Sequence, residues 1–480
     1  MIQVGAGVAD ITPAVGTPLS GFIARENRPS THIDSHLQVR ALALQQGGKT
    51  HYLLNYDLLG LGDAIAKQIS SALERETGPE QALLTATHTH SGPSLGLLVG
   101  ENPPTPEYLH LLTYRSVQAV RAALDGLQPA RLVWAEIPMP GLTYNRRALL
   151  ADGRVSIMPE PDLPVVQRGP LDERMTLLVW QTLLGKNIAA LAHYACHGVA
   201  VLSQGIGSDI PGALAEAIGV RLGAPCLFLQ GAAADVNPTT VTASREEMLA
   251  WVQRALLPLP GFDDILKPVV DLEDLQAADM WLDLPYAPLP GLAEAQKQLS
   301  DLLRIADGDV ASPDLQASVA AFKNTMNLPP DEALDPQQSR FVALALAETA
   351  RRTLSAVQVG SNLPSQKLHL AGLRFGNFLL IFLACEAMTA TGLRLRVTHP
   401  ELQVLPVTYL APLLGYIPDR EALSLGGYEV SEAWRFYGYP AAFSQDSEDR
   451  MVEAARKMIV ELGAQLCASS AISTNEEVPS

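Results

Sequence analysis

Residues 51–87, HYLLNYDLLGLGDAIAKQISSALERETGPEQALLTAT, contain the clearest alternation of strand and helix patterns in the chain. The apolar run His51–Leu58 predicts a strand, and Ala82–Thr87 predicts a second one. Between them, Asp63–Glu76 repeats apolar residues at helical spacing, which predicts an amphipathic helix. A strand, a helix and a strand in succession are typical of an α/β architecture.

The same alternation continues along the chain. Pro106–Leu124 predicts a helix, with proline at its start and Gly126 just beyond its end, and Arg340–Val357 predicts another. Six further runs predict strands: Arg131–Ala135, Thr176–Gln181, Ile188–Ala195, Cys226–Gln230, Leu368–Leu373 and Asn377–Cys385. We therefore predict an α/β fold of layered mixed β-sheets flanked by helices.

Two segments depart from this alternation. Residues 257–339 are rich in Pro, Asp and amphipathic helix, which predicts a mostly helical insertion or lid within one catalytic domain, residues 1–468. Residues 469–480 are polar, and we expect a disordered tail there.

Composition narrows the class of partner. The chain of 480 residues has a net charge of −17 and is 48% apolar. An acidic surface repels phosphate backbones, so we expect no nucleic acid partner. No signal peptide or apolar run of about 20 residues is visible, so we expect no transmembrane segment. The four cysteines are scattered. Together these features predict a cytoplasmic location.

The first chemically informative motif, His88-Thr89-His90, follows the strand predicted at Ala82–Thr87. Residues two apart in an extended chain face the same side, so we expect the two imidazoles to project together. Such a pair suits zinc, or one ligand beside one general base. The alternative is two histidines that hydrogen-bond to nearby backbone.

Two other apolar runs also end in ionisable residues. Ile188–Ala195 leads to His193 and His197, and the spacing does not decide which of them binds metal or whether either is an ordinary core histidine. Phe378–Cys385 ends in Glu386. A carboxylate there is costly unless it is solvated, paired or metal-bound. The alternative is a carboxylate near the N-terminus of a following helix.

A fourth run, Cys226–Gln230, continues into a loop of small residues and then Asp235-Val236-Asn237. Small residues let backbone approach a ligand closely, although an ordinary tight connection has the same composition. Taken together, the four runs offer histidines and a carboxylate. Three protein ligands and one open position are typical of catalytic zinc.

These segments resemble the catalytic domain of the neutral ceramidases, of the neutral/alkaline non-lysosomal type. The resemblance extends from the N-terminus to about Glu429 and leaves out the insertion. The matching segments are Gly5–Pro13, His88–Pro93, Tyr144-Asn145-Arg146, Cys385-Glu386, Leu393–Arg396, and Tyr416 and Tyr428 with Arg420-Glu421 between them.

The resemblance implies a zinc ion bound by His88, His197, Glu386 and Tyr416. It also implies that His90 is the general acid or base, and that Arg146 and Tyr428 bind the substrate carbonyl and its developing oxyanion. Zinc lowers the pKa of bound water toward about 7, and cationic or phenolic donors stabilise a tetrahedral oxyanion. The expected activity is zinc-dependent hydrolysis of the amide bond of an N-acyl substrate.

One residue departs from the family pattern in a way that affects mechanism. The family carries Gly-Asp-Val-Ser-Pro-Asn where this chain has Ala234-Asp235-Val236-Asn237-Pro238-Thr239. An asparagine cannot act as the acyl nucleophile that the family serine is often described to be. We expect zinc-activated water to be the nucleophile, and Asn237 to shape the pocket by hydrogen bonding.

The expected substrate also differs from ceramide. We expect neither an export signal nor the C-terminal β-sandwich domain of full-length ceramidases, and therefore a smaller, more soluble N-acyl compound as substrate. The alternatives are a zinc hydrolase of an ester, and a descendant that binds a ligand without catalysis.

Overall fold

The computed structural model describes residues 1–78, 82–157, 164–257, 264–269, 275–326, 328, 332–360 and 363–473. Its strands are β1 Gln3–Asp10, β2 His32–Ile33, β3 Gln38–Gln46, β4 Lys49–Tyr56, β5 Ala82–Ala86, β6 Gln128–Pro138, β7 Thr143–Asn145, β8 Ala148–Leu150, β9 Val155–Ser156, β10 Val165–Arg168, β11 Arg174–Thr182, β12 Asn187–Tyr194, β13 Gly205–Ile206, β14 Cys226–Gln230, β15 Val236–Pro238, β16 Lys267–Pro268, β17 Gln276–Leu284, β18 Gln366–Phe375, β19 Phe378–Leu383, β20 Glu386–Ala387, β21 Gln403–Val407 and β22 Tyr416–Ile417.

The helices are α1 Asp63–Thr77, α2 Pro106–Asp125, α3 Asp209–Leu222, α4 Arg245–Leu256, α5 Leu292–Ala306, α6 Gln316–Thr325, α7 Pro336–Val359, α8 Thr389–Arg396, α9 Arg420–Leu425, α10 Tyr428–Ser431, α11 Ala433–Phe436 and α12 Ser447–Ser473. Short 3-10 turns lie at Ile23–Arg25 and Pro313–Leu315. Within the described residues, no helix is both long enough and apolar enough to cross a membrane.

Two mixed sheets form the centre of the molecule. The larger sheet has the strand order β14-β12-β11-β6-β1-β3-β4-β5, with β16 also paired to β6, and the smaller has the order β17-β18-β19-β21. The β4–β5, β12–β14 and β19–β21 pairs are parallel, whereas the other pairs within these two sheets are antiparallel. The predicted α/β fold of layered mixed sheets is therefore confirmed.

Three clusters of apolar side chains make up most of the hydrophobic core. The largest cluster joins residues of both sheets, including Leu191 and Leu227 from the larger and Phe378 and Leu380 from the smaller. The other face of the larger sheet packs on α3 and α4 at one end and on α1 and α2 at the other. The larger sheet is thus covered on both faces, which explains the nearly continuous apolar runs of its strands.

Local sequence explains most element boundaries. Helix α2 begins with Thr105, whose hydroxyl accepts the backbone N–H of Tyr108, and has a proline in its first turn. Helix α4 begins with a capping box formed by Ser244 and Glu247. Helix α7 ends at Gly360, which has a φ of 62°.

The segment 257–339, predicted as a mostly helical insertion, contains helices α5 and α6 but also strand β17. This strand pairs along its whole length with β18, from Gln276–Arg374 to Leu284–Gln366. Part of the segment therefore belongs to the smaller sheet, and the predicted division into a catalytic domain and an insertion stays a prediction. Helix α12 continues to Ser473, within the predicted disordered tail, and residues 474–480 lie outside the described residues.

The ends of the sheet strands are joined directly to one another. The backbone N–H of Ala86 donates to Tyr409 O at 3.2 Å, and Thr408 N–H donates to Gln230 O at 2.9 Å. A parallel bridge also joins Thr89 to Gly198. Loops that follow β5, β12, β14 and β21 are therefore brought to one place, as is usual where ligand sites form in α/β proteins.

Candidate active site

One large cavity lies where these loops meet, with a volume of about 570 Å³. All eight residues that the sequence and the family resemblance single out line it: His88, His90, Arg146, His197, Asn237, Glu386, Tyr416 and Tyr428. The structure therefore brings together side chains that lie up to 340 positions apart in the sequence (88 to 428).

His88 lies two residues beyond the end of β5 and does not continue the strand. Its backbone φ is +63°, a region that residues with a Cβ rarely adopt. The imidazole Nδ1 lies 2.7 Å from the carbonyl oxygen of Leu59. Because a carbonyl can only accept, Nδ1 carries the proton, and Nε2 of a neutral imidazole is left with a lone pair.

His197 is oriented in the same way from a different loop. Its Nδ1 lies 3.0 Å from the carbonyl oxygen of Ala233, so this ring also presents an unprotonated Nε2. The two Nε2 atoms of His88 and His197 face each other at 3.1 Å. Two lone pairs at this distance repel each other unless a cation lies between them, and the donor set therefore fits a metal ion.

His90 completes a group of three histidines that could hold a metal ion, with ligand atoms within 4.8 Å of one another. Its Nε2 lies 3.2 Å from Nε2 of His88. In contrast to the other two rings, its buried Nδ1 has no hydrogen-bond partner among the described residues. No carbonyl fixes its tautomer, so His90 is free to carry its proton on either nitrogen.

Burial keeps the three rings neutral. It lowers the pKa of His88 to about 3, with the positive charge of Arg146 acting in the same direction. Burial, followed by the charge of the neighbouring His88, lowers the pKa of His90 and His197 well below the ordinary value. Neutral imidazole is the form that ligates metals.

Glu386 lies beside this group and is held by two tyrosines. One of its carboxylate oxygens is 3.4 Å from Nε2 of His88. Tyr437 donates to Oε1 at 2.5 Å, and Tyr409 donates to Oε2 at 3.3 Å. Burial raises the pKa of Glu386 to about 7, against the opposing effect of the Tyr437 hydrogen bond. The backbone of Glu386 pairs with Tyr416 in the β20–β22 ladder.

Arg146 connects the acidic and phenolic groups of the cavity. Its Nη2 donates to the hydroxyl oxygen of Tyr416 at 3.0 Å, and its Nε donates to Glu429 at 3.0 Å. Arg147 binds the other carboxylate oxygen of Glu429 at 2.5 Å. Side chains of all three charged residues are nearly buried, so this ion-paired network fixes the guanidinium of Arg146 in place.

Tyr428 and Asn237 both follow Arg146 in the chain, 191 residues apart, and line the same cavity. The ring of Tyr428 packs edge-on against that of Tyr416, with centroids 5.9 Å apart. Asn237 lies in β15 opposite Tyr144 of β7. It is only 8% exposed, and its Oδ1 has no hydrogen-bond partner among the described residues. An uncompensated buried amide is costly, and such a group commonly serves a ligand.

The structure decides between two histidines that the spacing left open. His193 faces away from the cavity, where its Nε2 lies 2.7 Å from Pro406 O and its Nδ1 is 3.1 Å from a nitrogen of Arg396. It is a core histidine with both nitrogens bonded. Glu386 is likewise not the cap of the following helix α8, since the carboxylate that accepts the N–H of Thr389 belongs to Asp235.

Sequence reasoning missed three residues that hold the site together: Tyr409, Tyr437 and Glu429. Tyr409 and Glu429 are buried, Tyr437 is half-buried, and each contacts a predicted site residue. Single tyrosines and glutamates in loops and in short helices such as α10 carry no periodic signal, so only the folded structure identifies them.

Two solved structures share this fold. The crystal structure of neutral ceramidase from Pseudomonas aeruginosa aligns with a TM-score of 0.67 at 17% sequence identity, over 97% of this chain and 75% of that chain. A ceramidase complexed with C2 aligns with a TM-score of 0.68 at 16% identity, over the same shares of the two chains. No protein-family model and no curated protein matches the sequence. The resemblance stated from the sequence is therefore confirmed at the level of the fold.

Proposed function

We propose that this protein is a zinc-dependent amidohydrolase that cleaves the amide bond of an N-acyl substrate. The observation that carries the proposal is the pair of unprotonated Nε2 atoms of His88 and His197, which face each other at 3.1 Å inside the cavity. Likeness of fold to two ceramidase structures supports the same reaction class.

The ligands that we propose are His88, His197, Glu386 and Tyr416. Nitrogen and oxygen donors of this kind suit zinc, and each proposed histidine has its other nitrogen bonded to a carbonyl, as metal-ligating histidines usually do. Burial raises the pKa of the Tyr416 hydroxyl, and the guanidinium of Arg146 beside it acts in the opposite direction. As a ligand, Tyr416 would need the positive charge of the metal to favour its phenolate form. A bound zinc ion would supply a water molecule of lowered pKa and polarise the substrate carbonyl.

His90 is proposed to move the proton. It touches the proposed ligand His88 through Nε2, and its tautomer is not fixed by a carbonyl. It can therefore accept a proton at one nitrogen and deliver it to the leaving amine nitrogen as the C–N bond breaks. This role requires His90 to remain outside the zinc ligand set.

Arg146 and Tyr428 are proposed to bind the carbonyl oxygen as negative charge develops on it. Arg146 is held by Glu429, so its donors are already oriented before the substrate binds. Tyr428 has a hydroxyl as donor, and burial raises its pKa above the ordinary value, which keeps it protonated. Asn237 is proposed to bind the substrate beside the scissile bond.

The substrate we propose is small or lipid-like, with its acyl part on the apolar wall of the cavity. The test is a screen of N-acyl amides and of esters with the same acyl groups, against zinc-loaded and chelator-treated protein. Hydrolysis of an amide that is lost on chelation and restored by zinc supports the proposal. Hydrolysis of esters alone would identify the protein as an esterase. No hydrolysis of either amides or esters with zinc bound would favour a protein that binds a ligand without catalysis.

A further inference from the structure

The cavity wall carries an unusual charge for this chain. The chain as a whole has a net charge of −17. Among the described residues that line the cavity, however, the charged ones are Arg146, Arg168 and Glu386. Arg146 is already paired with Glu429, and Glu386 is held by two tyrosines. Arg168 is the remaining charge, and its side chain is exposed to solvent while it also lines the cavity.

Arg168 is held in position without being neutralised. Its Nη1 donates to the carbonyl oxygen of Asn145 at 2.9 Å, and its guanidinium lies over the ring of Tyr144 at 5.2 Å from the centroid. In the part of the chain that the structure describes, no carboxylate lies within ion-pair distance of it. The guanidinium plane is thus oriented by a neutral backbone group and an aromatic face, which leaves donors available.

Three carboxylates line a small recess together with Arg168, namely Asp235, Asp419 and Glu421. Asp235 accepts from Thr389 and from the side chain of Asn145. Asp419 accepts the backbone N–H of Ala422 at the start of α9. Glu421 accepts from the side chain of Gln167. Among the described residues, none of the three forms an ion pair with the guanidinium.

Asn237 lies next to this cation. It pairs with Tyr144 across the β7–β15 ladder, and Arg168 stacks on the ring of that tyrosine. Its side-chain amide is buried, and its oxygen has no partner among the described residues. The guanidinium of Arg168 and the amide of Asn237 therefore border the same side of the cavity.

The other side of the cavity is apolar. Ile23, Leu98, Met326, Val342 and Phe436 line it and belong to one hydrophobic cluster built largely from α5, α6 and α7. No residue of β7, β10 or β15 belongs to that cluster. A substrate that spans the cavity meets hydrocarbon on one side, and a cation with an amide on the other.

We propose that Arg168 and Asn237 form a subsite for an anionic group on the amine part of the substrate, so that the preferred substrates are N-acyl amino acids. This inference rests on the proposed amidohydrolase function. A carboxylate matches the planar fork of a guanidinium with two parallel hydrogen bonds. The unpaired Oδ1 of Asn237 accepts the N–H of the adjacent substrate amide, and its NH₂ group donates to the same carboxylate. The acyl chain occupies the apolar side.

The first test compares turnover of N-lauroylglycine with that of N-lauroylethanolamine, which has the same acyl chain and no charge. Wild-type protein is expected to prefer the carboxylate. Arg168→Gln is expected to raise KM for N-lauroylglycine about tenfold, the usual value of a hydrogen bond to a charged group, and to leave the neutral substrate within about twofold. Arg168→Lys keeps the positive charge but not the planar guanidinium, so its KM for N-lauroylglycine should lie between those of wild type and Arg168→Gln. Arg121→Gln, an equal charge change on helix α2 outside the cavity, is the matched control.

The second test measures binding of the same two ligands to chelator-treated protein by calorimetry, without turnover. A preference for N-lauroylglycine that Arg168→Gln removes supports the subsite even if no amide is cleaved, in which case the proposed function alone has failed. Equal affinity of wild-type protein for both ligands, or the same preference in Arg168→Gln as in wild type, would overturn the subsite even if amides are cleaved.

Discussion

The Nε2 atoms of His88 and His197 face each other at 3.1 Å, although the two residues are 109 positions apart in the chain. Each ring is turned by a backbone carbonyl, Leu59 O for one and Ala233 O for the other. The two carbonyls belong to loops after different strands, so the orientation is built into the fold. A cation between the rings converts a repulsive contact into a bonding one.

Replacement of either facing histidine should remove the metal. We expect His88→Ala and His197→Ala to lose zinc and activity together, because each removes one ligand. His193→Gln is the matched control, since His193 is equally buried but bonds to Pro406 and Arg396 outside the cavity. It should retain zinc at some cost in stability. Elemental analysis of the purified variants checks this, and full zinc occupancy in both alanine variants would show that the ligands are misassigned.

Tyr437 should affect the affinity for metal without being a ligand. Its hydroxyl donates to Glu386 at 2.5 Å, and loss of such a bond to a ligand typically weakens metal binding by about 10- to 100-fold. Tyr437→Phe should therefore show that loss in competition with a chromophoric chelator. Tyr439→Phe is the control, because this ring stacks on Tyr437 and its hydroxyl makes no hydrogen bond to another described residue. Equal affinities for zinc in the two variants would contradict the role given to Tyr437.

Gly21 offers a way to displace His90 without touching the proposed ligands. Its φ is +92°, and a Cβ added there would lie 2.6 Å from the His90 ring. Gly21→Ala should therefore lower kcat at least tenfold, by the usual order of a proton-transfer contribution, and leave zinc bound. Gly16→Ala carries the same backbone strain, with φ +101° and open space around it. If both variants lose activity equally, strain rather than the position of His90 is responsible.

Glu429 should matter for stability as well as for activity. It pairs with Arg146 and Arg147, and all three side chains are nearly buried. Removal of one partner of a buried ion pair typically costs about 3–5 kcal/mol. Glu429→Ala should therefore lower the free energy of unfolding by about that amount and reduce kcat through Arg146. Glu421→Ala, an exposed carboxylate nearby, is the control. Unchanged thermal unfolding of Glu429→Ala would contradict the network.

The sequence predicted those strands and helices whose burial produces a repeating pattern of apolar residues. Strands such as Cys226–Gln230 were predicted to the residue, and helix α2 to within one. Strand β17 was missed because it lies on the edge of the smaller sheet, where half of its residues face solvent and the surrounding segment is helical. An edge strand of this kind has a weaker hydrophobic signal than a buried one.

In the candidate site, the sequence alone predicted only the ionisable residues that directly follow apolar strands. His88, His90, His197 and Glu386 follow apolar runs, and the expectation that His88 and His90 project together holds for the side chains. Strand alternation is not the cause, because the backbone of His88 has left the extended conformation, with a φ of +63°. Tyr416 and Tyr428 came from the family resemblance alone. Arg168 gave no signal, since its meaning depends on which carboxylates the fold places near it.

The most direct test of the central claim is a titration of chelator-treated protein with zinc, followed by the initial rate of hydrolysis of one N-acyl amide and by the metal bound. We expect the rate and the bound metal to rise together and to saturate at about one zinc ion per chain, in wild-type protein and in the Arg121→Gln control, with no rise in either quantity for His197→Ala. Amide hydrolysis that persists at full rate in the chelated protein would contradict it.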